Sequence, residues 1–269
     1  MQQCVVMLLS GITLAVSATS ISAVSYNITN ITVDPNLVAD GGNATTGTGL
    51  PDNVISNDKF TNTTSFAALV IYEVVPVSSE GCKGSAKQVA LTVQPKPVII
   101  SGLSDIVCSG VSANIILSIT NSVAGTIFNW SAPVNTGGMT GGTTGPSILI
   151  ADVFENNTGS TQTATYTVIA TSGDGCQSDP ETVIVTVNPG PAVSINDGSD
   201  TILLCGGEDL QLNGNPTGGS GNYVTHSWTG QVAPLSSTTI QNPVFNTTGS
   251  GNYRLSYMVT DDNGCSATD

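Results

Sequence analysis

The sequence predicts an all-β chain made of three tandem repeats, and three observations carry that expectation. β-branched residues and turn formers are abundant, whereas long runs of helix-favouring Ala, Leu, Glu and Lys are missing. Only 9% of the residues are charged while 39% are hydrophobic, so the low charge describes an uncharged polar chain and not a disordered one. One pattern of alternating strand, tight turn and Gly-Cys occurs three times.

Each repeat is read most securely at its hairpin. Val70–Val74, Ala164–Val168 and Leu255–Val259 alternate apolar and polar residues around Tyr72, Tyr166 and Tyr257, which places each tyrosine in phase with inward-facing valines. Turn formers follow, Ser78–Gly81, Ser172–Gly175 and Asp261–Gly264, and each turn ends in a cysteine 10, 10 or 8 residues after the tyrosine. After Cys82 and Cys176 a further strand leads to a Pro-x-Pro linker, Pro95-Lys96-Pro97 and Pro189-Gly190-Pro191. Upstream, Cys4, Cys108 and Cys205 stand 22, 22 and 23 residues before Tyr26, Trp130 and Trp228, with strands expected between them at Ile12–Val16, Ile115–Ile119 and Leu210–Leu212. Val98–Ile100 and Ala192–Ile195 read as opening strands of the second and third repeats. The modules are placed at 1–95, 96–190 and 191–269. The first is expected to lack its opening strand and the third its last, so the sequence reads as a piece of a longer array. The middle loops, residues 30–62, 132–158 and 229–248, hardly align.

Two cysteines per repeat suggest the within-module pairs Cys4–Cys82, Cys108–Cys176 and Cys205–Cys265, selected by the repeat from fifteen pairings. Zinc is the rival reading, but Cys-x-x-Cys pairs and histidine partners are lacking. Disulfides imply an oxidising, extracytoplasmic location. Val5–Leu9, with Ala15–Ala18 or Ile21–Ala23 as a cleavage site, has some of the look of a signal peptide. No Lys or Arg precedes the apolar run, however, and cleavage would delete Cys4, so a first module strand is the preferred reading. No uninterrupted apolar stretch is long enough to span a membrane.

With 19 acidic against 5 basic side chains and a net charge of -14, nucleic acid and anionic membranes are poor partners. One histidine, His226, without a nucleophile elbow leaves acid/base chemistry to carboxylates. Glu73, Glu80, Asp152, Glu155, Glu181 and Glu208 are not concentrated by the repeat, so no catalytic residue is assigned and His226 is read as solvent-side. No cofactor is expected. Calcium is the weak exception at Asp261 and Asp262, whose turn also suits plain hairpin chemistry. Tyr26, Trp130 and Trp228 read as core aromatics in preference to sugar-stacking platforms. The Thr136–Gly145 stretch reads as a flexible connection, and the sequons at Asn27, Asn30, Asn43, Asn62, Asn129, Asn156 and Asn246 as products of an Asn- and Thr-rich composition.

The order Cys, Trp, Tyr, Gly-Cys, strand, Asn-Pro-x-Pro resembles the PKD-like, immunoglobulin-type repeats of very large secreted surface proteins of Bacteroidota, often found with gliding-motility or type IX secretion sorting domains. Ile106–Gly110, Phe128–Trp130, Ala164–Val168, Gly175-Cys176 and Val183–Pro189 carry the resemblance best. It implies seven-stranded sandwiches with each bridge near the rim, tying a hairpin tip to an early strand. It also implies a non-catalytic stalk or adhesion array, extracellular or at the cell surface, whose first partners are neighbouring modules of the same chain. A glycan- or protein-binding array and accessory modules of a secreted enzyme are the alternatives.

Overall fold

A computed structural model describes residues 2–4, 10–198 and 201–269. Its sheets are almost entirely antiparallel, and the chain is all-β. The buried apolar side chains form three cores, drawn from Leu14 to Val93, Ile99 to Val187 and Leu212 to Val259.

The three tyrosine strands, Ala68–Val77, Gln162–Thr171 and Leu255–Asp261, are the inner strands around which each sheet is built. Their side chains alternate between core and surface because a strand has a period of two. Ala68, Val70, Tyr72 and Val74 face inward in the first unit, Ala164, Tyr166, Val168 and Ala170 in the second, and Tyr257 and Val259 in the third. Tyr26, Trp130 and Trp228 are buried against them, and Trp228 lies 4.8 Å from Tyr257 between ring centroids. Each indole is held by its polar edge. Trp130 Nε1 donates to the Thr143 carbonyl at 3.1 Å and Trp228 Nε1 to the Ile240 carbonyl at 3.0 Å, so the chain after each Trp strand folds back over the ring.

In the first two units the tyrosine strand pairs with the following strand, Lys87–Gln94 or Glu181–Asn188, and that strand pairs in parallel with the segment carrying the first cysteine. The parallel register puts Cys108 opposite Asn188 and Cys4 opposite Gln94. In the third unit Ser266–Thr268 takes the following position beside Leu255–Asp261. Val5–Leu9, the apolar run of the signal-peptide reading, lies outside the described residues; Gln2–Cys4 just before it is a strand.

Several expected strands are shorter or absent. Ile12–Val16 is not a strand, although Leu14 is buried. Ile115–Ile116 keeps only part of its expected length, Asp209–Gln211 is the Leu210–Leu212 strand shifted by one residue, and Val98–Ile100 reduces to one bridge, Ile99 to Ile119. Pro191–Ala192 is a strand, but Ile195–Gly198 is a 3-10 turn in which Asn196 and Asp197 are left-handed. Alternation in a four- or five-residue run sets burial without guaranteeing a paired edge. The Thr136–Gly145 stretch is not merely a connection: Thr140–Gly141 pairs with Phe154–Glu155, and Met139 is buried. Gly141 there has φ 115, and a Cβ would meet the Val153 carbonyl oxygen at 2.3 Å, so glycine is what lets the strands close.

Two of the sequons share one buried clasp. Asn62 and Asn156 are buried, and each side-chain amide donates to two carbonyls, Phe66 and Val93 in one unit, Ser160 and Val187 in the other. Their carbonyl oxygens accept from Thr64 and Thr158, backbone and hydroxyl alike. The clasp ties the loop before the tyrosine strand to the strand after it. Asn156→Ala should cost about 1–3 kcal/mol by leaving buried carbonyls unpaired, whereas Asn30→Ala, at an exposed sequon, should stay within about 0.5 kcal/mol. Denaturant midpoints of the two variants compare them directly.

Candidate functional site

The features with functional consequence gather where one unit meets the next. They begin with three hairpin tips of one geometry. In Ser78–Cys82, Ser172–Cys176 and Asp261–Cys265 the glycine amide donates to the carbonyl of the first residue, and the first residue's amide donates to the cysteine carbonyl. The glycines, Gly81, Gly175 and Gly264, have φ of 78, 84 and 80. That left-handed residue after a tight turn is what a three-residue hairpin loop requires, and it is the reason a glycine precedes each cysteine. The first residue also clasps the tip with its side chain. Cys82 and Cys176 donate their amides to Ser78 and Ser172 Oγ, and Cys265 donates to Asp261 Oδ1 at 2.9 Å.

Asp261 is thus buried as a turn clasp. Its Oδ1 also accepts from Asn263 N and its Oδ2 from Ser220 N, while exposed Asp262 accepts from Asn222 Nδ2. Side-chain hydrogen bonds with Ser220 and then Asn222 hold the Asp262 carboxyl below its ordinary value. Among the described residues, no group of three or more His, Cys, Asp or Glu side chains converges as a metal site.

The within-module disulfides are corrected by the geometry. Cys108 is bonded to Cys265, with Cα atoms 5.5 Å apart, and Cys82 and Cys205 are free. Hence neither Cys108–Cys176 nor Cys205–Cys265 forms, and Cys4–Cys82 does not form either; Cys176 is nevertheless disulfide-bonded. The reason is length. Cys108 lies at the Asn188 end of the Glu181–Asn188 strand, whereas Cys176 lies in the turn before its other end. Seven residue steps of about 3.3 Å separate those ends by roughly 23 Å, and a disulfide spans at most about 7 Å between Cα atoms. The hairpin tip of the third unit, however, meets the far end of the second. Bridging residues 157 apart in sequence, the bond contributes about 5 kcal/mol in the chain-entropy picture, as much as the whole stability of a marginal domain.

Polar contacts complete both junctions. Asn121, from the second unit, donates through Nδ2 to the carbonyls of Thr63 and Lys96 at 3.0 and 2.8 Å, and its Oδ1 accepts from Val98 N. Lys96, in the linker, pairs with Asp179 at 2.7 Å beyond the Cys176 tip. At the second junction the Pro191–Ala192 strand pairs with Thr217–Gly218, and Gly219 N donates to the Gly190 carbonyl. A Cβ on Gly219, at φ +59, would meet Asp261 Oδ2 at 2.5 Å and Pro191 N at 3.1 Å, so glycine lets linker and tip approach. These contacts were not foreseen from the residues.

Within the cores the tyrosine hydroxyls find partners that also escaped notice. Tyr72 donates to Asp58 and Tyr166 to Asp152, each aspartate 14 residues before its tyrosine. That shared spacing is a signal the sequence does carry. In the third unit His226 Nδ1 lies 2.7 Å from Tyr257 Oη with the rings stacked, so His226 is half-buried against the core and not solvent-side. Burial, then the hydrogen bond and charge of the aspartate, push the Tyr72 and Tyr166 hydroxyls well above their ordinary value; burial and Tyr223 push Tyr257 up to about 12. Burial alone would raise the Asp152 carboxyl, but hydrogen bonds from Tyr166 and Thr143 outweigh it and leave it low. Asp58, more enclosed, stays raised.

The PKD-like domain family matches residues 36–97 and 105–191, more than half of the chain. The chain belongs to the PKD-like domain family. No curated protein matches it. Among solved structures, the N-terminal four Ig domains of Dscam1 isoform 7.44 are similar at 10% identity and a TM-score of 0.24, over 75% of this chain and 53% of that one. The chain therefore spans about half the length of that structure. Drosophila N-cadherin EC1-4 is similar at 11% identity and TM-score 0.28, over 96% of this chain and 69% of that one. The fibronectin(III)-like modules of Clostridium thermocellum CbhA are similar at 15% identity and TM-score 0.27, over 64% and 90%. Among the described residues no helix is long and apolar enough to cross a membrane.

The tyrosine shifts set an alkaline limit for this PKD-like chain. The unfolded chain releases tyrosine protons from about pH 10, while the folded units hold theirs. Folded-state pKa values are raised, so the contribution is complete below pH 10 and is lost as pH rises beyond it. Thermal denaturation midpoints measured between pH 9 and 11 should fall, and Tyr166→Phe should make that fall shallower. An equal slope in the variant would contradict the assignment.

Proposed function

We propose that the chain is a non-catalytic array of PKD-like modules, 1–95, 96–190 and 191–269, that serves as a stalk or adhesive arm of a large extracellular or cell-surface protein, of the kind found in Bacteroidota with gliding-motility or type IX secretion systems. The array needs no cofactor, and neighbouring modules of the same chain are its first partners. The observation that carries the reading is the Cys108–Cys265 bridge, which joins consecutive cores across the Pro189-Gly190-Pro191 linker. Proline linkers already limit the angles between modules. A covalent second tether, beside the linker, turns a hinge into a stiff joint, a property with value in a load-bearing arm. An oxidising exterior keeps such a bond closed.

A second reading has one observation in its favour. An open cleft in the third unit is lined by Gly230, Gln231, Pro234, Asn246, Thr247 and Tyr253, where the variable 229–248 loop meets the sheet. A glycan or protein ligand would be recognised there, and binding on a glycan array that disappears on exchange of this loop would favour that role.

Nuclear relaxation tests the stiff-joint reading. In the oxidised chain, amides of the second and third units should report one shared rotational correlation time. In the Cys108→Ser/Cys265→Ser double variant, the third unit should tumble faster than the second. Unchanged common tumbling in the variant would remove the mechanical role of the bridge.

A further inference from the structure

The two free thiols occupy the positions that the Cys108–Cys265 bridge joins. Cys82 ends the Ser78–Cys82 tip, which repeats the backbone turn, the left-handed glycine and the side-chain clasp of Asp261–Cys265. Cys205 is the repeat counterpart of Cys108, as both stand 22 or 23 residues before the core tryptophan of their unit. Burial separates engaged tips from the outer one. Cys176 and Cys265 are 0% and 1% exposed, while Cys82 is exposed, as is Cys205. Cys82 and Cys205 are thus an unused copy of each half of the Cys108–Cys265 staple.

We propose that Cys82 and Cys205 are complementary halves of the same inter-unit staple, so that Cys205 of one copy of this chain bonds Cys82 of a second copy. The contact is heterologous, tip to end, and therefore open-ended: each addition leaves a fresh Cys82 and a fresh Cys205. The Cys108–Cys265 junction serves as its template, with the tip of one unit seated at the end of another. The inference rests on the array reading and gives it a specific end-to-end partner.

Bond formation needs an oxidant, and a small disulfide such as oxidised glutathione suffices. The Cys205 thiolate attacks it, forming a mixed disulfide and releasing one glutathione thiolate. The Cys82 thiolate of the docked copy then attacks Cys205 Sγ, forms the Sγ–Sγ bond and releases the second glutathione. Two protein thiols are oxidised, one glutathione disulfide is reduced to two glutathiones, and the two thiol protons pass to the released thiolates.

Single variants of the 269-residue chain provide the test, because both cysteines are exposed and serine replaces them at little cost to folding. Under oxidised glutathione the unmodified chain should give a ladder of covalent oligomers on a non-reducing gel. Cys82→Ser alone and Cys205→Ser alone should stay largely monomeric. An equimolar mixture of the two should give dimer and stop there, exceeding either homodimer by about tenfold, the factor that roughly 1.4 kcal/mol of docking supplies. Peptide mapping of that dimer should return the Cys82–Cys205 peptide. Homodimers forming from a single variant as readily as the mixed dimer, or no covalent product from the mixture, would overturn the proposal. If that happens while Cys108–Cys265 remains intact and stiff, the array reading survives and only the end-to-end pairing falls.

Discussion

In the first two units the hairpin tip lies at one end of the sheet and the first cysteine at the other, and the length of one strand keeps them apart. In the second unit the Glu181–Asn188 strand sets that distance through its parallel register with Ser104–Cys108. A cysteine at a tip can then bond only to something beyond its own unit. The Cys108–Cys265 bridge follows from this constraint, and so do the buried state of the engaged tips and the exposed state of Cys82 and Cys205. Linker prolines and the Gly219 to Gly190 hydrogen bond add to this joint, and the Asn121 contacts and the Lys96–Asp179 pair hold the junction between the first two units.

Inside the units, stability draws on a small set of buried polar clasps as well as apolar area. Asn62 and Asn156 tie loop to final strand, Tyr72–Asp58 and Tyr166–Asp152 pin the layer facing the tyrosine strand, and the indole N–H groups fasten the loops over the tryptophans. With so few aromatics, such satisfied networks specify which loop covers which core. The third unit departs from the pattern. Tyr257 takes His226 in place of an aspartate, and Asn246 is exposed and donates to Asp209. A buried aspartate and a histidine answer the same need, a partner for a hydroxyl that burial would otherwise leave unpaired.

The all-β class and the three tyrosine hairpins were legible because period-two alternation and Gly-containing turns are local properties. The Gly-Cys motif was legible as well, yet its meaning was not. Spacing along the chain shows that Cys108 and Cys176 belong to one repeat, but only the parallel register reveals which end of the sheet each occupies. His226 was misplaced since a single exposed-looking polar residue in a strand gives no sign of the tyrosine across from it. Asp58 and Asp152 could have been found from their common distance to Tyr72 and Tyr166. The pairing of Thr140–Gly141 was hidden by a stretch of glycine and threonine, whose composition suits a loop and whose backbone freedom allows a strand to close against the Val153 carbonyl.

The most direct measurement is non-reducing proteolytic mapping of the folded, oxidised chain, with mass spectrometry of the linked peptides. A peptide joining Cys108 to Cys265, with neither Cys82 nor Cys205 linked to Cys108 or Cys265, is the expected result. A peptide joining Cys108 to Cys176, or Cys205 to Cys265, would contradict the head-to-tail staple.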